Sequence, residues 1–136
     1  MRRRTVRLLA DRRGAGAVEF ALIAPALFMI IIGIAQLGTL FFAKAALRNV
    51  VAEGGRFANI SPRPTNAQIQ EKIRTARFGL SAQRLSAATL VAGKSDNADY
   101  LDISMSYTVP LNFVFVKVAP VTLRETRRVF VYPLPT

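Results

Sequence analysis

The side chains that most enzymes use for acid–base, nucleophilic or metal chemistry are scarce in this chain. The sequence contains no histidine and no cysteine. These two omissions remove imidazole catalysis, thiol nucleophiles, disulfides and most zinc sites. We therefore expect no enzymatic activity, no metal site and no cofactor.

Glu19 is the residue whose position does need a chemical explanation. It is followed by Phe20 and by an apolar run to Ala43 whose only polar side chains are Gln36 and Thr39. A helix rises ~1.5 Å per residue, so this run can cross a hydrocarbon core of ~30 Å, which needs about 20 residues. The sequence therefore predicts one membrane span at about residues 18–43, with a carboxylate at its start.

A carboxylate inside a bilayer costs a few kcal/mol or more, so it normally has a partner or a function. Two explanations of Glu19 follow from the residue alone. It could lie in the headgroup layer with its side chain reaching water, or in the first turn of the helix, where the helix dipole favours an acid.

The residues before Glu19 add a second signal. Residues 1–13 hold six arginines and a single aspartate, and Gly14 follows them. Positive residues beside a span remain in the cytoplasm, so we expect a cytoplasmic N-terminus and a domain on the periplasmic side. The order is a basic head, Gly14, Ala15, a short linker, Glu19, Phe20 and an apolar helix.

This order resembles the processing site of type IV prepilins, and more closely that of the tight-adherence (Flp/Tad) pilus proteins. Three further segments resemble the TadE-like minor pseudopilins, namely VEFALIAPAL at residues 18–27, GIAQLG at residues 33–38 and AEGGRFA at residues 52–58. Gln36, where an acid is more usual, and Gly55, where alanine is commoner, depart from the pattern.

The resemblance implies a structural role in adhesion-pilus assembly. A prepilin peptidase would remove the leader, residues 1–14, by cutting between Gly14 and Ala15. The mature subunit would be a minor pilin or pseudopilin of the bacterial inner membrane or the extracellular pilus, and its partners would be other pilins and the assembly platform. Glu19 would neutralise the new amino group of Ala15 on its own or an adjacent subunit, beside Phe20. Helix packing would involve Pro25, Gly33, Ala35 and Gly38.

The apolar helix is predicted to continue beyond the membrane to about residue 60. Gly54 and Gly55 mean either that the helix ends there or that another element closely approaches its backbone. Ser61-Pro62-Arg63-Pro64 is a clear stop, and residues 61–136 form a small extracytoplasmic domain. A capping box at Thr65–Gln68 starts a second helix that reaches about Phe78 and ends at Gly79. Its buried face is predicted at Ile69, Ile73, Ala76 and Leu80.

The second half of the chain changes to the two-residue period of strands. We predict strands at Leu85–Ala92, Leu101–Val109 and, at an edge, Val121–Tyr132, with a polar turn at Lys94–Asp99. The apolar run Leu111–Ala119 fits either a fourth strand or a hydrophobic loop that faces the membrane or a neighbouring subunit. In the second case Phe113 and Phe115 would be contact residues. The predicted fold class is α+β, with a long N-terminal transmembrane and amphipathic helix, a short helix and a small three- to four-stranded antiparallel sheet.

Two other functions compete with this interpretation. The net charge of +11 suggests nucleic acid, but neither a stacking platform nor a known nucleic-acid motif accompanies the arginines, so we expect no such binding. Alternatively, the chain is a periplasmic interaction domain on an uncleaved single-pass anchor, or one released by signal peptidase after Ala43-Lys44-Ala45. The mature N-terminus separates the three cases, because it would be Ala15, Met1 or Ala46.

Overall fold

The computed structural model describes residues 14–95, 98–113 and 116–131 and confirms the predicted α+β fold. Its elements are α1 (Ala15–Ala58), α2 (Asn66–Thr75), a 3₁₀ turn (Ala82–Arg84), β1 (Thr89–Ser95), β2 (Ala98–Val109) and β3 (Val121–Phe130). Residues 1–13 of the predicted leader lie outside the described residues, as do Phe115 and Tyr132.

Helix α1 is one continuous element of 44 residues that passes through Pro25 and both glycines of the Gly54-Gly55 pair. It divides into two halves that differ in burial. The half before Ala43 contains no buried residue, whereas eight residues from Ala43 to Ala58 are buried against the rest of the domain. The same helix therefore provides a largely exposed apolar segment and a central element of the core.

Other elements closely approach α1 at the Gly54-Gly55 pair. Of the two predicted alternatives, a helix end or a close approach, the structure therefore shows the second. A Cβ atom at Gly54 would lie 2.5 Å from Cδ1 and Cγ1 of Ile73 on α2. A Cβ atom at Gly55 would lie 2.8 Å from Cγ1 of Val129 on β3. Because both distances are far below ordinary carbon contacts of 3.5–4.0 Å, glycine at these positions allows α2 and β3 to pack directly on the helix backbone.

The sheet is antiparallel, with strand order β1-β2-β3, and β2 is its centre. The predicted alternation along β2 is confirmed, since its odd-numbered residues from Leu101 to Val109 are buried and its even-numbered residues over the same range are half-buried. The buried face packs with α1 and α2 into one core, which also contains Leu47, Ile69 and Ile73. Strand β3 lies at an edge, as its charges predicted.

Several predicted boundaries are wrong. Helix α2 ends at Thr75 rather than near Phe78, so Gly79 does not cap it. Instead Phe78 and Gly79 have φ values of 46° and 82° in a turn closed by a bond from Leu80 N–H to Arg77 O at 2.9 Å. This turn redirects the chain so that Leu80 reaches the core without a longer helix.

The first strand also begins later than predicted, at Thr89 rather than Leu85. A 3₁₀ turn at Ala82–Arg84 precedes Leu85, which makes only an isolated bridge to Tyr107. Strands β1 and β2 extend to Ser95 and Ala98, so they occupy most of the predicted Lys94–Asp99 turn.

The predicted capping box of α2 is confirmed. The Thr65 hydroxyl accepts a bond from Gln68 N–H, and the Gln68 side-chain oxygen accepts one from Thr65 N–H at 2.9 Å. Replacing Thr65 by alanine should lower the free energy of unfolding by about 1 kcal/mol, as for other N-cap hydroxyls. Urea denaturation of the full chain in detergent micelles, followed by pulse proteolysis, would measure this loss. Asn66→Ala is the matched control, and an equal loss in that variant would contradict the assignment.

Candidate functional site

The N-terminal half of α1 exposes more apolar surface than a soluble monomer tolerates. In the part of the chain that the structure describes, it is the one helix long and apolar enough to cross a membrane, and none of its 18-residue apolar window is buried. The large exposed side chains on it include Val18, Phe20, Leu22, Ile23, Phe28, Ile30, Ile31, Ile34, Leu37, Phe41 and Phe42. An apolar surface this continuous needs a lipid or protein environment.

The predicted processing residues lie at the beginning of this half. Gly14 is the N-cap of α1, and it provides no side chain for the first N–H groups of the helix. Ala15 begins the helix, and Glu19 and Phe20 follow in its second turn as exposed residues. Among residues 14–95, 98–113 and 116–131, the Glu19 carboxylate has neither a hydrogen bond nor an ion pair, so it is available to a group from outside this set.

The predicted packing residues do not form one face. A Cβ atom at Gly38 would meet no atom within 4 Å, and Ala35 is exposed, so both are open to a second helix. Gly33 instead lies beside Phe113 of the same chain, at 3.9 Å from its ring. Gly38 lies five positions after Gly33, which places them about 140° apart around the helix.

The connection between β2 and β3 is a loop and not a fourth strand, which decides between the two predicted alternatives for its described residues. In its described residues, 110–113 and 116–120, no strand forms, and Asn112 and Lys117 make an isolated bridge. The side-chain amide of Gln36 donates to Asn112 O at 2.9 Å, beside the contact of Phe113 with Gly33. The loop therefore reaches the apolar half of α1. Phe113 does make a contact, while Phe115, the other predicted contact residue, lies outside the described residues.

An ion-pair cluster that directly follows the apolar half along α1 was not predicted from the sequence. Lys44 and Arg48 of α1 both pair with Glu125 of β3, and the Lys44 ammonium also donates to Arg124 O at 2.6 Å. One turn of the helix is thereby attached to the edge strand. The i, i+4 spacing of Lys44 and Arg48 was visible in the sequence, but nothing in it identified Glu125 as their partner.

The arginines that suggested nucleic-acid binding are partly neutralised. Arg128 makes two bonds to Asp102, at 2.8 and 2.7 Å, which lower the pKa of that carboxyl group, and Arg74 has the same effect on the pKa of Glu71. Arg128 also lies over the Tyr100 ring, 3.9 Å from its centroid. Within the described ranges, no group of three or more acidic side chains could hold a metal ion.

The part of α1 that carries these features also matches a known family. Residues 14–56 match the family model described as TadE-like protein. Over these residues the chain is similar to TadE-like proteins. The resemblance expected from the sequence is thus confirmed by a match that begins at Gly14 and extends to within two residues of the end of α1. No match to the chain was found among curated proteins or among solved structures.

Proposed function

We propose that this chain is a minor pilin or pseudopilin subunit that takes part in assembling a tight-adherence, type IV-like pilus. One observation carries the proposal. Glu19 is the fifth residue after Gly14, and it lies without a described partner on an exposed apolar helix that falls within the TadE-like match. A Tad pilus-associated protein needs a helix of this kind, since its apolar half can reside in lipid first and among other helices later.

The membrane stage follows from the distribution of charge and apolar residues. Residues 18–43 cross the inner membrane, with the arginine-rich leader in the cytoplasm and the sheet domain on the periplasmic side. Lipid gives apolar helices little net drive to associate, so specificity comes from close packing at small residues. Ala35 and Gly38 are open to such packing, whereas Gly33 is occupied by the chain's own loop.

The chemistry of maturation belongs to a partner, a prepilin peptidase at the cytoplasmic face. Its cut after Gly14 gives Ala15 a free amino group, whose pKa of about 8 leaves it mostly charged. Glu19 lies one helical turn further along and pairs with this amine on its own or a neighbouring subunit. The subunit itself has a structural role and no catalytic one.

The alternative is a periplasmic interaction domain on an uncleaved anchor, or one released by signal peptidase. The release site is disfavoured by packing, because the Ala43-Lys44-Ala45 segment is an internal turn of α1. Ala43 is buried, and Lys44 pairs with Glu125. Cutting after Ala45 would remove both from the domain. An uncleaved anchor would leave these contacts unchanged. Only the position of the mature N-terminus distinguishes it from the processed subunit.

The mature N-terminus is expected to be Ala15 in the native host and Met1 in a host that lacks the prepilin peptidase. Intact-mass and N-terminal sequencing of the purified protein would measure it. Gly14→Val should block the cut, because the residue before the scissile bond must lie extended in a narrow cleft without a Cβ atom.

Gly16→Val is the matched control for this variant. Neither Gly14 nor Gly16 has an atom within 4 Å of its Cβ position, so both substitutions leave the helix packing of the monomer unchanged. Only Gly14→Val should retain the leader. A native N-terminus at Met1 or Ala46 would refute the proposed processing.

A further inference from the structure

The end of the sheet domain that faces the apolar half of α1 carries its own exposed apolar residues. Strand β3 runs in the same direction as α1, since Glu125 pairs with Lys44 while Val129 lies beside Gly55. The loop that precedes β3 therefore projects toward the N-terminal half of the helix. The β1–β2 end, at Ser95 and Ala98, lies at the opposite end of the sheet.

We infer that this end of the domain inserts shallowly into the same lipid leaflet from which α1 emerges. The membrane-proximal surface consists of Phe78, Phe113, Val116 and Val118. Of these, Phe78, Val116 and Val118 are 50%, 52% and 42% exposed, and Phe113 is half-buried on Gly33. The inference needs α1 to span a membrane, but it is independent of leader cleavage and of any pilus.

Two segments far apart in the sequence contribute to this surface. Gly79, next to Phe78, is close to Phe42 of α1. A Cβ atom at Gly79 would lie 3.5 Å from Cζ of the Phe42 ring. Gly79, Pro110 and Asn112 also line one cavity beside Gln36 and Phe42. The Arg77–Leu80 turn and the β2–β3 loop therefore lie together around α1 at the same level.

The depth of this level follows from the length of the span. Within the predicted span of about residues 18–43, the twenty residues from Phe20 to Thr39 suffice for a ~30 Å core, so we place the outer boundary of the core near Thr39. Gln36 and Gly33 then lie about 5 and 9 Å inside the outer boundary, at 1.5 Å per residue. Elements that rest in the interface place their apolar groups about 5–10 Å into the headgroup and acyl boundary. The depth required of the loop is thus that of an interfacial element and not of a second span.

The polar groups of the loop are compatible with this depth. Irregular backbone in lipid must have its hydrogen-bonding groups satisfied. Asn112 O accepts from Gln36, the Asn112–Lys117 bridge pairs the two sides of the loop, and Pro110 and Pro120 have no N–H to satisfy. Gln36, a departure from the expected acid, therefore has a specific partner here.

The charge around the surface favours phosphate headgroups. Arg77, Arg84 and Lys117 are exposed at or beside it. Residues 72–95 and 103–124 contain no aspartate or glutamate. Exposed apolar side chains next to cations alone are typical of surfaces that bind an anionic lipid interface.

Single-cysteine labelling tests this inference cleanly, because the native chain has no cysteine. Val116→Cys and Val118→Cys, each labelled with an environment-sensitive fluorophore, would be placed as full chains in nanodiscs of phosphatidylethanolamine and phosphatidylglycerol at one copy per disc. Ser95→Cys is the control for the distal end, and Leu37→Cys is the control within the span. Both control positions are exposed in the isolated chain.

The labels at positions 116 and 118 should emit at shorter wavelength than the label at position 95. They should be quenched more by a nitroxide near the headgroup end of the acyl chain than by one near its methyl end. Emission and quenching equal to those at position 95 would overturn the inference. A shift to shorter wavelength that appears only when several copies share one disc would assign the surface to contact with a neighbouring subunit. This result would overturn the inference as well.

Discussion

Replacing Glu19 by glutamine or alanine should abolish most pilus assembly while leaving leader removal largely intact. Without the carboxylate, the charged amine of Ala15 enters the apolar helix bundle unpaired, at a cost of about 2.5 kcal/mol or more per subunit. A cost of this size corresponds to a loss of about sixtyfold or more in an assembly equilibrium, since 1.4 kcal/mol is a factor of ten. The measurements are the mature N-terminus and the yield of sheared surface pili.

Glu19→Asp is the informative companion to these two variants, because it keeps the charge and shortens the reach by one methylene. It should retain more assembly than Glu19→Gln, which keeps the shape and loses the charge. The pairing would be refuted if both neutral variants assembled normally. A loss of cleavage in Glu19→Gln would instead show that the peptidase reads this residue directly.

Replacing Gly54 by valine should unfold or severely destabilise the domain that packs on the C-terminal half of α1. Its Cβ atom would lie 2.5 Å from two carbons of Ile73, which is 1% exposed and has a stiff, β-branched side chain. Overpacking of this kind costs about 1–3 kcal/mol and occasionally more, and the two additional methyl groups bring the expected loss to the upper end. Gly54→Ala should lose less, because alanine recovers about 1 kcal/mol of helix propensity.

Urea denaturation of the full chain in micelles would measure both variants. Gly38→Ala is the matched control, since it lies in the same helix with open space around it and should cause no loss. Ile73→Val removes one of the two clashing atoms and should make Gly54→Ala less harmful than in the native background. Native-like stability of Gly54→Val would show that α2 moves away from α1 without cost.

Local rules in the sequence predicted much of the fold. The alternation from Leu101 to Val109 identified the central strand and its buried face, because a half-buried strand has a strict two-residue period. The Thr65–Gln68 pair identified the start of α2, because the capping box is a short-range arrangement of two side chains. The continuous apolar run, with Ser61-Pro62 beyond it, predicted the length of α1 to within two residues.

What the sequence did not determine depends on tertiary packing. The end of α2 shifted to Thr75 because Leu80 reaches the core through a turn with positive φ at Phe78, which no propensity indicates. The apolar run after Pro110 was equally compatible with a strand and with a loop. Its contact with Gln36, and the attachment of Lys44 to Glu125, join residues more than 70 positions apart.

The continuity of α1 has a mechanical consequence. The helix enters the domain core without a flexible joint, and Glu125 holds its Lys44–Arg48 turn to the edge strand. Any twist or axial pull on the apolar half is therefore transmitted directly to the sheet. In a bundle of such helices, the rotation of each helix about its own axis would then fix the direction in which its domain points outward.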